Sequence, residues 1–208
     1  MEPLKQLAIK EVMTPLQDIN LFKYNFPMPV ESAYLHSVRK QFLAYKTLGD
    51  SAIAQLNEAD LEYQPNSNSN SIATIIRHLN GNMKSRFTNF MTEDGEKPWR
   101  NRDKEFLPPA GYYPAGGIAG LWEEGWACLF HAINQLEPGQ LLEIVTIRHE
   151  PHLAIDAIIR QLAHYSSHVG QIVYLAKMIR GKDWVSLSIP IGESAQFNQD
   201  MLQKFKPD

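Results

Sequence analysis

Apolar residues fall at helical spacing over most of the chain. Leu35, Val38, Phe42, Tyr45, Ala52 and Leu56 recur three, four or seven positions apart, which predicts one buried face on a helix over 31–57. The run NEADLEYQPNSNSN that follows is rich in turn formers, and Ser71 is placed to cap a second helix over 71–91. Its stripe is Ile72, Ile75, Ile76, Leu79, Met83, Phe87 and Phe90. Residues 92–117 then lack helical period. A loop that long is either functional or a crossover between distant helix ends. A third helix is expected over 118–136, with Leu121, Trp122, Trp126, Leu129, Ile133 and Leu136 inward and Pro138 and Gly139 stopping it.

The run LLEIVTIRHEPHLAI changes the pattern. Alternation from Leu142 to His149 predicts a short extended segment, and Glu150 and Pro151 predict a turn. A fourth long helix follows over 153–180, closed by Gly181, and a short one is expected over 194–204. Projected at about 100° per residue, Ile155, Ile158, Leu162, Tyr165, Val169, Ile172 and Val173 form the apolar arc of the fourth helix. Four long amphipathic helices with little strand predict an all-α helical bundle. Residues 1–30, with Pro3, Pro15, Pro27 and Pro29, do not share the pattern and are expected to form an arm. The domain is expected to occupy 31–208.

Composition narrows the function classes. The chain has 208 residues, 44% of them hydrophobic, enough to bury the core of one domain. A net charge of -3 with scattered Lys and Arg offers no electrostatic footprint for nucleic acid or an anionic membrane. The single cysteine, Cys128, excludes an internal disulfide framework and is expected to be a buried, inert thiol beside the third helix's core stripe. The opening MEPLKQLAIKEVMTPLQ lacks the apolar core of a secretory signal, and no stretch approaches the roughly eighteen apolar residues of a membrane span. A cytoplasmic location is the expectation.

Candidate chemistry rests on histidine. His164 and His168, in QLAHYSSHVGQIVYLAK, lie one helical turn apart, so both imidazoles project from one side of the fourth helix and can converge on one cation. They sit on the shoulder of the apolar arc, aligned with Ala157, Gln161, Leu175 and Ile179. A packed and a solvated residue would sit at the same place. For a third ligand, His78 in the middle of the second helix is the best candidate, beside Asn82 and Ser85. His36 and His131 read as surface residues, and His149 and His152 flank Pro151 without a helical ligand spacing. Asn82 and Gln161 are candidate hydrogen-bonding partners behind the ligands, and Trp99, Arg100 and Arg102 candidate substrate-contacting residues on the long loop. Neither Glu150 nor Tyr165 has a pattern that singles it out as a general base. Tyr165 follows His164, so the H-E-x-x-H of zinc proteases is absent, as are a phosphate loop, a G-x-S-x-G elbow and the Glu-x-x-His repeats of di-iron bundles.

The helix carrying RHLNGN around His78, followed far downstream by HYSSHVGQI, resembles the DinB superfamily of DinB/YfiT-like metalloenzymes. The runs YLHSVRKQF, PNSNSNSIATIIRHLNGNMKSRF, DGEKPWRNRDKEF and SIPIGESAQFN resemble an uncharacterised branch of it over about 31–200. The resemblance implies a four-helix bundle in up-down-down-up order, with 92–117 as the crossover between two successive parallel helices. It also implies one divalent metal, nickel or zinc, on His78, His164 and His168, and a homodimer. Some relatives transfer low-molecular-weight thiols such as bacillithiol or mycothiol, and others open or isomerise small molecules. Two functions follow as expectations. One is a metal-dependent enzyme that activates water or a small thiol against an electrophilic substrate. The other is a non-catalytic, stress-associated dimer that binds metal or ligand.

Overall fold

Each long apolar stripe becomes a helix whose ends are set by local chemistry. The computed structural model describes residues 28–107 and 117–205, so most of the expected arm lies outside the described residues. Helix α1 spans Val30–Ile53. It stops short of the expected residue 57 because Asn57 starts a separate turn of helix, α2 (Glu58–Glu62), through a capping box with Asp60. Helix α3 (Ile72–Phe87) begins where expected, with the Ser71 hydroxyl accepting from Thr74 N at 3.1 Å. It ends four residues early. Asn89 takes a left-handed φ of 51°, which breaks the helix while leaving Phe90 packed in the core.

Among its described residues the long loop contains one turn of helix, α4 (Arg102–Glu105), capped by Asn101. Helices α5 (Gly117–Gln135), α6 (Ala154–Arg180) and α7 (Ser194–Lys204) complete the set, with short 3-10 turns at Pro138–Leu142 and Gly181–Asp183. No helix among the described residues is long and apolar enough to cross a membrane.

The segment before α6 is a hairpin rather than a single extended piece. Strands β1 (Ile144–Ile147) and β2 (Glu150–Leu153) pair antiparallel, with Ile147 opposite Glu150. The turn is therefore Arg148-His149, and the expected turn at Glu150-Pro151 lies inside β2. Both turn residues have positive φ, 55° and 65°, the geometry that favours Asn or Gly in two-residue hairpins. The loop before α4 supplies the compensation. Asp94 accepts from the backbone N–H of Arg148 at 2.8 Å and of His149 at 2.7 Å.

Four long helices share one core. Helix α3 packs along α5, and α1 along α6. Hydrogen bonds give the directions. Asn80 reaches the Leu121 carbonyl and Lys84 reaches Glu124, so α3 and α5 run the same way. Tyr34 donates to the Ile155 carbonyl near the start of α1 and α6, and Gln55 meets Val185 beyond their ends, so these two are also parallel. Arg39 reaches Ile133 while Lys46 reaches Glu123, which sets α1 antiparallel to α5. At the centre Phe42, Phe87, Trp126 and Tyr165 meet at ring separations of 6.1 to 6.5 Å. Gly49 lets the Trp122 indole approach α1, since a Cβ there would lie 2.5 Å from the ring, and the indole N–H donates to Asp50 at 2.6 Å.

Candidate metal centre

Helix α3 is buried around most of its circumference, because α5, α6 and the 93–106 segment cover it on different sides. Its polar residues His78, Asn82, Ser85 and Arg86 are therefore interior. Helix α6 is also rotated relative to its projected arc. Ala157, Gln161 and Leu175, expected on the shoulder, are buried, whereas Ile155, Leu162 and Val173 are half-buried. That rotation turns His164 and His168 toward α3.

The three expected histidines meet. His78 Nε2 lies 3.3 Å from His164 Nε2, which lies 3.0 Å from His168 Nε2, and the three ligand atoms fall within 4.8 Å of one another. Nitrogens bound tetrahedrally at about 2.0–2.1 Å from one ion are about 3.3–3.4 Å apart, so the spacing suits a shared cation. His36, His131, His149 and His152 stand outside this cluster, His131 and His149 exposed and the other two half-buried.

The outer nitrogens of the rings decide what the inner ones can do. His78 Nδ1 is 2.9 Å from Glu105 Oε2, and an ionised carboxylate only accepts, so the proton is on Nδ1 and Nε2 presents a lone pair. His168 Nδ1 donates to Gln171 Oε1 at 2.9 Å, which leaves its Nε2 in the same state. Both lone pairs point at His164 Nε2, and one N–H there can satisfy only one of them. At least one bare nitrogen therefore faces another in a half-buried place. A cation is the partner that this donor set fits.

Electrostatics favour the ligating form. Burial, reinforced by His168, His78, Arg100 and Arg86, pushes His164 down to about 4. Burial also lowers His168 against the opposing effect of the hydrogen bond it donates to Gln171, with His78 adding to the fall. Burial raises the Glu105 carboxyl, but the hydrogen bonds from His78 and Arg100 and their charges hold it below the ordinary carboxylate value.

The loop residues take different places. Arg100 is not free on a wall: it grips Glu105 through Nε–Oε1 at 2.8 Å and Nη2–Oε2 at 3.0 Å, with its side chain 2% exposed and Nη1 without a partner among the described residues. Arg102 lies 5.0 Å over the Phe106 ring, which in turn lies 5.0 Å from the His78 ring. Trp99 is 55% exposed. Asn82 accepts from the Tyr165 hydroxyl at 2.9 Å, and Gln161 is buried with Oε1 unpartnered among the described residues. Neither amide bonds to a histidine among the described residues. Tyr165 is fully buried, which raises its phenol far above the ordinary value, and Glu150 is exposed on β2. Cys128 is half-buried rather than buried, 3.6 Å from the Thr88 hydroxyl.

Three participants were not legible as site residues. Glu105 lies 27 positions from His78 in a segment without period, and Gln171 is an ordinary polar residue of α6. Gly81 permits the approach of Glu105, because a Cβ there would lie 2.2 Å from Oε1. The only local signal for Glu105 is that Asn101 caps the turn that carries it.

No curated protein and no solved structure matches the chain. One family model does, over residues 29–193, from the residue before α1 to the residue before α7. With that much of its length covered, including all three histidines, the chain belongs to the family described as Protein of unknown function (DUF1572).

Proposed function

We propose that this chain is a metal-dependent enzyme of the DinB type, a four-helix bundle in up-down-down-up order with one nickel or zinc ion on His78, His164 and His168. The helix directions support the bundle order, since α3 and α5 run parallel and α1 runs parallel to α6 and antiparallel to α5. One observation carries the metal reading: three imidazole nitrogens from two helices converge with more lone pairs than protons between them.

A divalent ion bound there supplies Lewis acidity, which lowers the pKa of a bound water or low-molecular-weight thiol. The protein's part is placement. Neutral His164 and His168 stay uncharged at pH 7 and so remain competent ligands. Trp99 and Arg102, on the segment that carries Glu105, are read as substrate-contacting residues, and Arg100 as serving them from behind, by holding that segment through Glu105. Asn82 and Gln161, buried one helical turn from His78 and His164, are read as supporting residues behind the ligands. The substrate is a small electrophile, to which thiol is transferred or which is hydrolysed.

Metal analysis of protein purified without a histidine tag tests the reading. About one equivalent of nickel or zinc per chain is expected, and His168→Ala should lose most of it. Less than a tenth of an equivalent in wild type under metal-replete conditions sinks the proposal. For the reaction, a panel of small thiols with a generic electrophile should turn over at a rate abolished by chelation. Equal rates with and without chelator would favour the non-catalytic, ligand-binding reading instead.

A further inference from the structure

Glu105 belongs to a different part of the chain from the three histidines, yet it is the side chain most tightly organised around one of them. It sits at the end of α4, a single turn of helix in the segment that follows α3. Its Oε2 meets His78 Nδ1 at 2.9 Å and both its oxygens are held by the Arg100 fork at 2.8 and 3.0 Å. Arg77 Nε holds the Glu105 backbone carbonyl at 3.2 Å. The Phe106 ring covers His78 beside it, and the glycine at 81 clears the path. A bidentate guanidinium fixes the plane of a carboxylate as well as its position. A buried acid–base pair on its own is weak evidence of a contribution to stability. Here Arg100 and Gly81 seat the carboxylate, Arg77 holds its backbone and Phe106 covers the imidazole at which it is aimed.

We propose that Glu105 is a positioning residue of the metal centre: it holds His78 in the Nδ1–H tautomer with Nε2 directed at His164 and His168, and it ties the 97–106 segment to metal binding. The inference rests on the metal reading above. A ligating imidazole whose outer N–H is held by a carboxylate is oriented before the ion arrives and is a better electron donor toward it. Without the carboxylate, the ring can exchange tautomers and rotate, and two of three ligands remain in place. Because Arg100 and Glu105 lie on the same segment, an ion drawn to His78 also favours the arrangement that docks that segment against α3. Metal affinity and the ordering of residues 97–106 then rise together, as linkage requires.

The test compares wild type with Glu105→Gln and with Glu96→Gln. Glu96 is also an acid bound to an arginine, Arg86, at 3.3 Å in the preceding loop, and it does not touch a histidine. Zinc affinity is read by competition with a chromophoric chelator. Glu105→Gln should bind zinc about 10- to 100-fold more weakly, and Glu96→Gln within about twofold of wild type. Two further readouts separate positioning from mere folding. In nitrogen-15 spectra of the zinc-loaded protein the His78 Nδ1–H should be a slowly exchanging, downfield proton in wild type and be lost in Glu105→Gln. Zinc should also slow amide exchange of Lys104, Glu105 and Phe106 in wild type and do so much less in the variant. If wild type binds zinc, His78→Ala abolishes it and Glu105→Gln keeps wild-type affinity, this inference falls while the metal reading stands. If wild type takes up no zinc, both fall. If Glu105→Gln proves too unstable to load, Arg100→Gln, which loosens the carboxylate without removing it, should show the same affinity loss in smaller measure, and wild-type affinity there overturns the proposal.

Discussion

The Tyr165 hydroxyl donates to Asn82 Oδ1 at 2.9 Å inside the core, tying α6 to α3 immediately beside the point where His164 meets His78. Tyr165 is the residue next to His164, and Asn82 lies one helical turn beyond His78, so the two polar stripes register twice. The aromatic body of Tyr165 packs against Phe42, Phe87 and Trp126, which fixes where the hydroxyl reaches. One bond thus locks the depth and rotation of α6 against α3, on which the histidine geometry depends.

Tyr165→Phe keeps the packing and removes only the donor, leaving a buried amide oxygen without its partner. The expected loss is roughly 1–3 kcal/mol of stability, a fall of several degrees in the thermal midpoint of metal-free protein for a domain of this size. Metal stoichiometry should hold near one. A variant that melts with wild type would show that another donor reaches Asn82 and that this bond does not set the register.

Helices and histidines were legible to different depths in the sequence. The four long helices follow directly from three-and-four spacing, because burial of one face is the dominant local requirement. The i, i+4 pair was legible for the same reason, since it needs only one helix. His78 required the further fact that α3 is enclosed on several sides, which its stripe of seven apolar residues does not reveal: the polar residues between them are buried by tertiary neighbours. Glu105 and the hairpin tip were not legible. Each is set by a partner distant in the chain, Arg148-His149 by Asp94 and Glu105 by His78, and no local period marks such contacts.

Asp94 should make stability depend on pH in acid. Partial burial raises its carboxyl, but the N–H groups of Glu96, His149 and Arg148 and the Thr146 hydroxyl outweigh that and hold it well below the ordinary value. A carboxyl depressed on folding contributes stability that is complete above its unfolded pKa of about 3.9 and is lost as pH falls through the folded value. Asp94→Asn carries no charge at any pH. Its urea midpoint should lie below wild type by a constant gap from pH 7 to about 5, and the gap should narrow below about pH 4. A gap independent of pH down to acid unfolding would assign the effect to shape rather than charge.

His149 holds a left-handed backbone with its side chain 99% exposed. That conformation costs a non-glycine residue roughly 1–2 kcal/mol, while glycine adds roughly 0.5–1 kcal/mol of unfolded-state entropy to be lost. His149→Gly is therefore expected to stabilise by up to about 1 kcal/mol, with the thermal midpoint one or two degrees higher and metal affinity unchanged. A lower midpoint would mean that the Asp94 clamp has already removed the strain.

Gly81→Ala places helix propensity against the metal centre. An exposed glycine-to-alanine change inside a helix ordinarily stabilises by roughly 0.5–1 kcal/mol, and Gly170→Ala on α6, where a Cβ would meet nothing within 4 Å, should show that gain. At position 81 the new Cβ would lie 2.2 Å from Glu105 Oε1 and 2.9 Å from its Cδ. The tip of a free glutamate would swing aside at little cost. This one is held by the Arg100 fork and by His78, so moving it breaks a buried ion pair and releases the imidazole. The midpoint of the metal-free variant should fall where Gly170→Ala rises, and zinc affinity should drop toward that of Glu105→Gln. Were Gly81→Ala instead to gain stability like Gly170→Ala and bind zinc like wild type, the carboxylate would have an alternative seat, and its grip on His78 would not be what orients the ligand.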